Sequence, residues 1–275
     1  MYDFIWNAEP SMPHDPTARP RTPGRRRHPR RAVGFTLLEM LVAIAVVGVL
    51  LTISVPAIRM ARQAGASAVS LSNLRENVAT LHAWAASHSD EAPRAPEFVD
   101  GMGKPQPLYS FPETERGGFM TDYFGQDMHW NLTLYKAGEE PSEAWWPPGD
   151  LSAGWAERFR AKPFGTSYRL SHAYLAGPEH WRPGQEERQS IDMWRAVRLA
   201  ETDSPSGKAL LHTYVPSIGR DESAVPPGRV EVGFTDGHAA AHDASDAALA
   251  VPNRWRGFAR QPLDGTPNGV TGTDI

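Results

Sequence analysis

Residues Phe35–Val55 form an apolar run of 21 residues broken by a single carboxylate, Glu39. As a helix the run measures about 31 Å, the hydrocarbon thickness of a bilayer. Any folded domain must therefore be built after a membrane-length helix near the N-terminus. A charge at that depth costs roughly 2.5–3.5 kcal/mol on insertion scales, which makes Glu39 a functional residue by default. Seven arginines (Arg19, Arg21, Arg25, Arg26, Arg27, Arg30, Arg31) precede the run against Asp3, Glu9 and Asp15, a net of +4 over residues 1–34. The positive-inside bias predicts a cytoplasmic N-terminus and an extracytoplasmic C-terminal part. A secretory signal peptide has an apolar core of only about 7–15 residues before an A-x-A-like site. This run is longer, although Ala64-Gly65-Ala66 mimics such a site. A plain signal anchor with an incidental Glu39 is the other alternative.

The basic leader, Gly34, Phe35 and a glutamate four positions later resemble the cleavage-and-methylation signature of type IV prepilins and type II secretion pseudopilins. The resemblance implies a cut between Gly34 and Phe35 by a membrane aspartyl peptidase on the cytoplasmic side, and N-methylation of the new Phe35 amine. The apolar segment is then kept. It also implies that Glu39 pairs with the N-terminal amine of a neighbouring subunit on assembly, which relieves the cost of a lone carboxylate in lipid. Pro56 stands where many type IV pilins carry a proline. It removes a helical hydrogen bond and crowds the Thr52 carbonyl, predicting a kink or local melting, unless it merely marks the membrane boundary. The implied partners are a prepilin peptidase, other pilin or pseudopilin subunits, an inner-membrane assembly platform with its cytoplasmic ATPase, and the lipid bilayer. The implied location is the inner membrane, then a periplasmic or surface filament.

Beyond the anchor, Leu71, Leu74, Val78, Leu81 and Trp84 recur at three- and four-residue spacing, an apolar stripe with Arg75, Glu76 and Asn77 on the other side. This helix is expected to stop near Ser87–Asp90, before Pro93 and Pro96. Residues 91–165 are dense in Pro, Gly and aromatics with little sustained periodicity, and segments such as Trp145-Trp146-Pro147-Pro148-Gly149 read as ordered turns, not as helix or strand interior. Strands are predicted at Ser167–Ala176, Ala209–Val215, Val230–Thr235 and His238–Asp243, the last two joined by a tight primed turn at Asp236-Gly237. Val232–His238 also resembles the F-x-D-G hairpin near the end of pseudopilin-like chains, some of which carry a His ten residues earlier, where this chain has Pro226. The expected fold class is α+β and pilin-like, a long N-terminal helix packed on a small antiparallel sheet with a loop-rich insertion. The expected organisation is a disordered, removed leader (1–34), an assembly helix (35–55), its amphipathic continuation (56–90), an extracytoplasmic head (91–252) and a Pro/Gly-rich tail (253–275) with a fraying end. Met12 is an alternative start to Met1.

Without residues 1–34 the chain carries 21 basic and 29 acidic residues, a net of −8, so no nucleic-acid partner is expected. It has no cysteine, hence no disulfide staple and no thiolate chemistry. Pro and Gly together make about 18% of residues, above the usual ~12%. No nucleophile elbow, P-loop, H-E-x-x-H or dinucleotide fingerprint is present, and neither an enzyme nor a cofactor is expected. Asp236, His238 and His242 would share one strand face, with Asp243 or Asp246 nearby. They are the weak candidates for a metal, but they supply too few oxygens for calcium and too few further ligands for zinc. A solvated turn is the alternative. Six of nine Trp lie between Trp130 and Trp194, either as a binding surface or as packing for a loop-rich domain. Asn131-Leu132-Thr133 fits a glycosylation pattern that means little by itself. Three functional readings stay open: a polymerising subunit, an anchored head that binds carbohydrate or protein without polymerising, and an anchored hydrolase using Asp236 and its neighbouring histidines.

Overall fold

The computed structural model describes residues 34–95, 97–99, 103–111, 117–149, 165–215 and 227–275. The leader reading, Trp155 and Pro226 lie outside these residues. Helix α1 (Leu37–Ser87) is followed by β1 (Glu97–Val99), β2 (Pro105–Phe111), β3 (Gly117–Met120), a short α2 (Trp130–Lys136), β4 (Tyr168–Leu170), β5 (Ala209–Thr213), β6 (Arg229–Phe234) and β7 (Ala239–Asp243). Chain contacts divide the molecule into two units, one through Ser54 and one over Val55–Ile275.

In the first unit the apolar side chains of α1 face outward: Leu38 is 71% exposed and Ile44 69%. This segment is long and apolar enough to cross a membrane, and none of its apolar window is buried. Pro56 lies inside the helix, which is assigned without a break across it, so the melting expected there is not observed. The hydrogen bond lost at Pro56 is one rung of a ladder that the flanking turns maintain. The helix ends where expected. Ser89 and Asp90 turn left-handed (φ 58° and 65°), and Asp90 N donates to Ala85 O.

The second unit is an α+β head. Its four-stranded antiparallel sheet runs β4-β5-β6-β7. The expected stripe packs on it, with Leu74, Val78 and Leu81 fully buried and Leu71 and Trp84 half-buried. Both faces of β6 are covered, and its residues alternate accordingly. Val230, Val232 and Phe234 pack with Ala247 and Leu263 on one side. On the other side, Glu231 meets Ser67 of α1 and Gly233 meets Val78. A Cβ at Gly233 would stand 2.8 Å from Val78 Cγ2, so a bare backbone is what lets α1 approach. Polar contacts fix the register: Ser70 Oγ lies 2.8 Å from Tyr168 OH, Arg75 donates to Ala239 O at 3.0 Å, and His82 Nε2 lies 2.6 Å from Thr235 O.

Five expectations need correction. Asn77 does not face solvent. It is buried under the turn at Glu143–Trp145 and donates to Ala144 O at 2.6 Å, because that loop covers a second side of α1. Residues 91–165 hold a three-stranded sheet, β1-β2-β3, and α2, where no strand or helix was predicted. Backbone pairing such as Phe98↔Gln106 and Tyr109↔Phe119 builds that sheet in spite of prolines at both ends of its central pairing. The strand expected over Ser167–Ala176 stops at Leu170, because Ser171 caps a 3₁₀ turn over His172–Tyr174. The β6–β7 turn is not a two-residue primed turn. Gly237 alone is left-handed (φ 97°), Gly237 N donates to Phe234 O and Phe234 N to His238 O, which makes a three-residue loop with a glycine bulge.

The fifth concerns the C-terminal segment, which is packed where fraying was expected. Asp274 is 2% exposed and binds Lys208 Nζ at 3.1 Å and Ala209 N at 2.9 Å, while Leu263 and Val270 are buried. Burial of a lysine demands a carboxylate partner, and the chain end supplies it. Trp130, Trp145, Trp181 and Trp194 are buried as well, Trp130 edge-on to Trp145, and Trp181 and Trp194 each edge-on to Phe124. They are core. Asn131 is also buried, which removes it as a glycan acceptor.

Candidate functional site

The first described residues, Gly34, Phe35 and Thr36, are non-helical, and α1 begins at Leu37. The Gly34–Phe35 bond therefore lies two residues ahead of the helix, in backbone a protease can take up. Nothing stands within 4 Å of a Cβ built at Gly34, and Phe35 is 79% exposed.

Thr36 is the N-cap of α1 and Glu39 its third residue. Glu39 N donates to Thr36 Oγ1 at 3.2 Å, while Thr36 N and Thr36 Oγ1 donate to Glu39 Oε2 at 2.8 and 2.9 Å. This reciprocal pairing is a capping box, which satisfies otherwise orphaned amides at a helix start. A carboxylate in the first turn also complements the helix dipole. Thr36 was not singled out from the sequence, although the T-x-x-E spacing before an apolar run was there to be read. All contributing atoms lie beyond the Gly34–Phe35 bond, so the box survives a cut there. Both contacts to the carboxylate fall on Oε2. Among the described residues Oε1 has no partner, so the group keeps one oxygen open.

Pro56 lies on α1, well separated along the chain from this cluster. Asp236, His238 and His242 are gathered at the β6–β7 hairpin, but around a ring: His238 stacks on Phe234 at 4.2 Å and His242 meets it edge-on at 5.7 Å. Asp236 Oδ1 accepts from His238 N at 3.1 Å and contacts His238 Nδ1 at 2.5 Å. Burial is the largest single influence on Asp236 and opposes its ionisation, but the His238 hydrogen bonds and charge together outweigh it and hold the carboxyl below its usual value. Asp236 and His238 are thus committed to each other, and His242 is aimed at a ring.

Residues 30–55 match the family described as the prokaryotic N-terminal methylation motif. The match covers the basic end of the leader, the Gly34–Phe35 bond, Glu39 and the apolar run. No curated protein and no solved structure matches the chain. The motif is a prepilin-like signature, and among the described residues α1 is the helix long and apolar enough to anchor the chain in a membrane.

Proposed function

We propose that the chain is a pilin-like structural subunit, cut by a prepilin peptidase between Gly34 and Phe35, N-methylated at Phe35, and assembled through α1 into a type II secretion pseudopilus or type IV pilus-like filament. The observation that carries this is the start of α1: an accessible Gly-Phe bond, then a capping box whose glutamate keeps one oxygen open on an unburied apolar helix. In the free subunit Thr36 shares the burden of a carboxylate at membrane depth. In the filament the open oxygen takes the Phe35 ammonium of a neighbour, which fixes axial register between subunits. The outward apolar face of α1 then packs against lipid before assembly and against other copies of α1 afterwards. Peptidase, assembly platform and ATPase are the partners this requires, with the head outside the inner membrane as the arginine bias demands. The role is mechanical, with no reaction assigned to the chain itself.

The rival, an anchored head that binds ligands through exposed tryptophans, loses its main support because Trp130, Trp145, Trp181 and Trp194 are buried. Glu39→Ala separates the two readings. Under the proposal the variant is inserted and processed but absent from sheared filaments, whereas equal recovery of variant and wild type in filaments would end it. Thr36→Ala removes only the cap, costing helix-start stability of about 1 kcal/mol, and is expected to lower filament yield without abolishing it.

A further inference from the structure

Asp127, His172 and Asp264 are all buried, and one ligand atom from each lies within 4.8 Å of the others. They come from three distant parts of the head: the 3₁₀ turn Tyr123–Met128, the turn after β4, and the C-terminal segment. The surrounding bonds account for some of their polar atoms and leave others open. Asp127 Oδ1 accepts from Met128 N at 2.8 Å and Oδ2 takes Arg169 Nη1 at 2.5 Å. Asp264 Oδ1 accepts from His172 N at 3.2 Å and faces His212 Nε2 at 3.1 Å. Asp264 Oδ2 and His172 Nε2, both out of reach of water, have no hydrogen bond. Orphan buried polar atoms are rare in native proteins and call for an occupant.

A carboxylate oxygen and the unprotonated nitrogen of a neutral imidazole both offer lone pairs, so Asp264 Oδ2 and His172 Nε2 cannot satisfy each other, whereas a cation satisfies both. His172 Nε2 is 3.4 Å from Asp127 Oδ2 but poorly aligned for a hydrogen bond. That spacing is the edge of a tetrahedron with metal–ligand bonds of about 2.1 Å. We propose that Asp127, His172 and Asp264 form a site for a divalent transition-metal ion of the zinc class, which ties the three segments of the head together, with the fourth position falling to a second carboxylate oxygen or a bound water. The donor set favours that class: calcium would need about six to eight oxygens, while an imidazole and two carboxylates suit zinc.

The second coordination layer is already built. His212 sets Nε2 on Asp264 Oδ1 and Nδ1 at 2.9 Å from Thr213 O, fixing the carboxylate. Arg169 pairs with Asp127 and His212 bonds Asp264, so the open valences, not uncompensated charge, are what point to a metal. Protons leave the site on binding, as is general for such centres. A loop-rich head without cysteine has no other covalent-strength staple.

The test uses full-length protein solubilised in detergent, stripped with chelator and dialysed against Zn²⁺. One zinc per chain and a raised melting temperature are expected. An X-ray absorption spectrum of the wild-type complex should show a mixed imidazole and carboxylate shell. His172→Gln and Asp264→Asn should weaken binding by more than about tenfold, as loss of even an outer partner does at such sites, while a His238→Ala/His242→Ala double variant leaves it unchanged. The wild-type spectrum decides independently of whether the ligand variants fold. No stoichiometric zinc, a shell of water oxygens alone, or loss of zinc in the hairpin variant would each overturn the site.

Discussion

Gly233→Ala tests the packing of α1 on the sheet at its tightest point. The added Cβ would meet Val78 Cγ2 at 2.8 Å and Leu74 Cβ at 3.4 Å. The first of these distances must open, and Val78 is fully buried. Overpacking of this kind costs about 1–3 kcal/mol. In a unit of this size each kcal/mol lowers the melting temperature by about 2–4 °C. Val78→Ala removes the clashing methyl and one more, at about 0.8 kcal/mol each plus a cavity term, about 2–3 kcal/mol in all. In the double variant the new methyl enters the space just vacated, so its cost should fall short of the sum by about 1 kcal/mol or more. Thermal melting of the solubilised chain, followed by tryptophan fluorescence, gives all four corners of the cycle. Strict additivity, or a Gly233→Ala variant as stable as wild type, would refute the account of why β6 carries glycine there.

Other consequences follow from buried charge. Asp274→Ala leaves the Lys208 ammonium, fully buried, with only Thr266 as a side-chain partner among the described residues. A loss of about 3–5 kcal/mol is expected, visible as a lower urea midpoint, and adding Lys208→Met should recover part of it; a neutral Asp274→Ala would mean that the C-terminal segment is not docked. Burial, and to a lesser extent the nearby His172, push the His180 imidazole down from 6.5 to about 4. The unfolded chain therefore binds the proton first, so this contribution to stability is whole above pH 6.5 and lost as pH falls toward 4, about 3 kcal/mol at most. His180→Phe, which keeps the ring among Phe124 and Trp181, should flatten the decline of melting temperature over that range. Parallel profiles for the two proteins would count against it.

What the sequence made legible followed local pattern. The stripe Leu74, Val78 and Leu81 repeats at a helix period, strands β5 to β7 are short apolar-rich runs bounded by turn residues, and the membrane-length run declares itself by length and composition; each was found in place. The misses share a cause. Asn77 is buried by a loop far along the chain, and no local pattern announces such a cover. Strands β1 to β3 are held by backbone pairing around prolines and glycines, which local reading takes as turn residues. Asp274 is drawn inside by Lys208, a tertiary demand that outweighs the polar composition of its segment. The buried Asp127, His172 and Asp264 stand far apart in sequence with no recurring spacing, so only the fold gathers them. Thr36 is different in kind: its T-x-x-E relation to Glu39 is local and was available from the start.

The central claim concerns what happens at the Gly34–Phe35 bond, and the most direct measurement is the intact mass and N-terminal sequence of the chain after co-expression with a prepilin peptidase. A mature chain that begins at N-methylated Phe35 and retains all of α1 is the expected result. An unprocessed leader while a control prepilin is cut, or cleavage beyond Val55, would contradict the account.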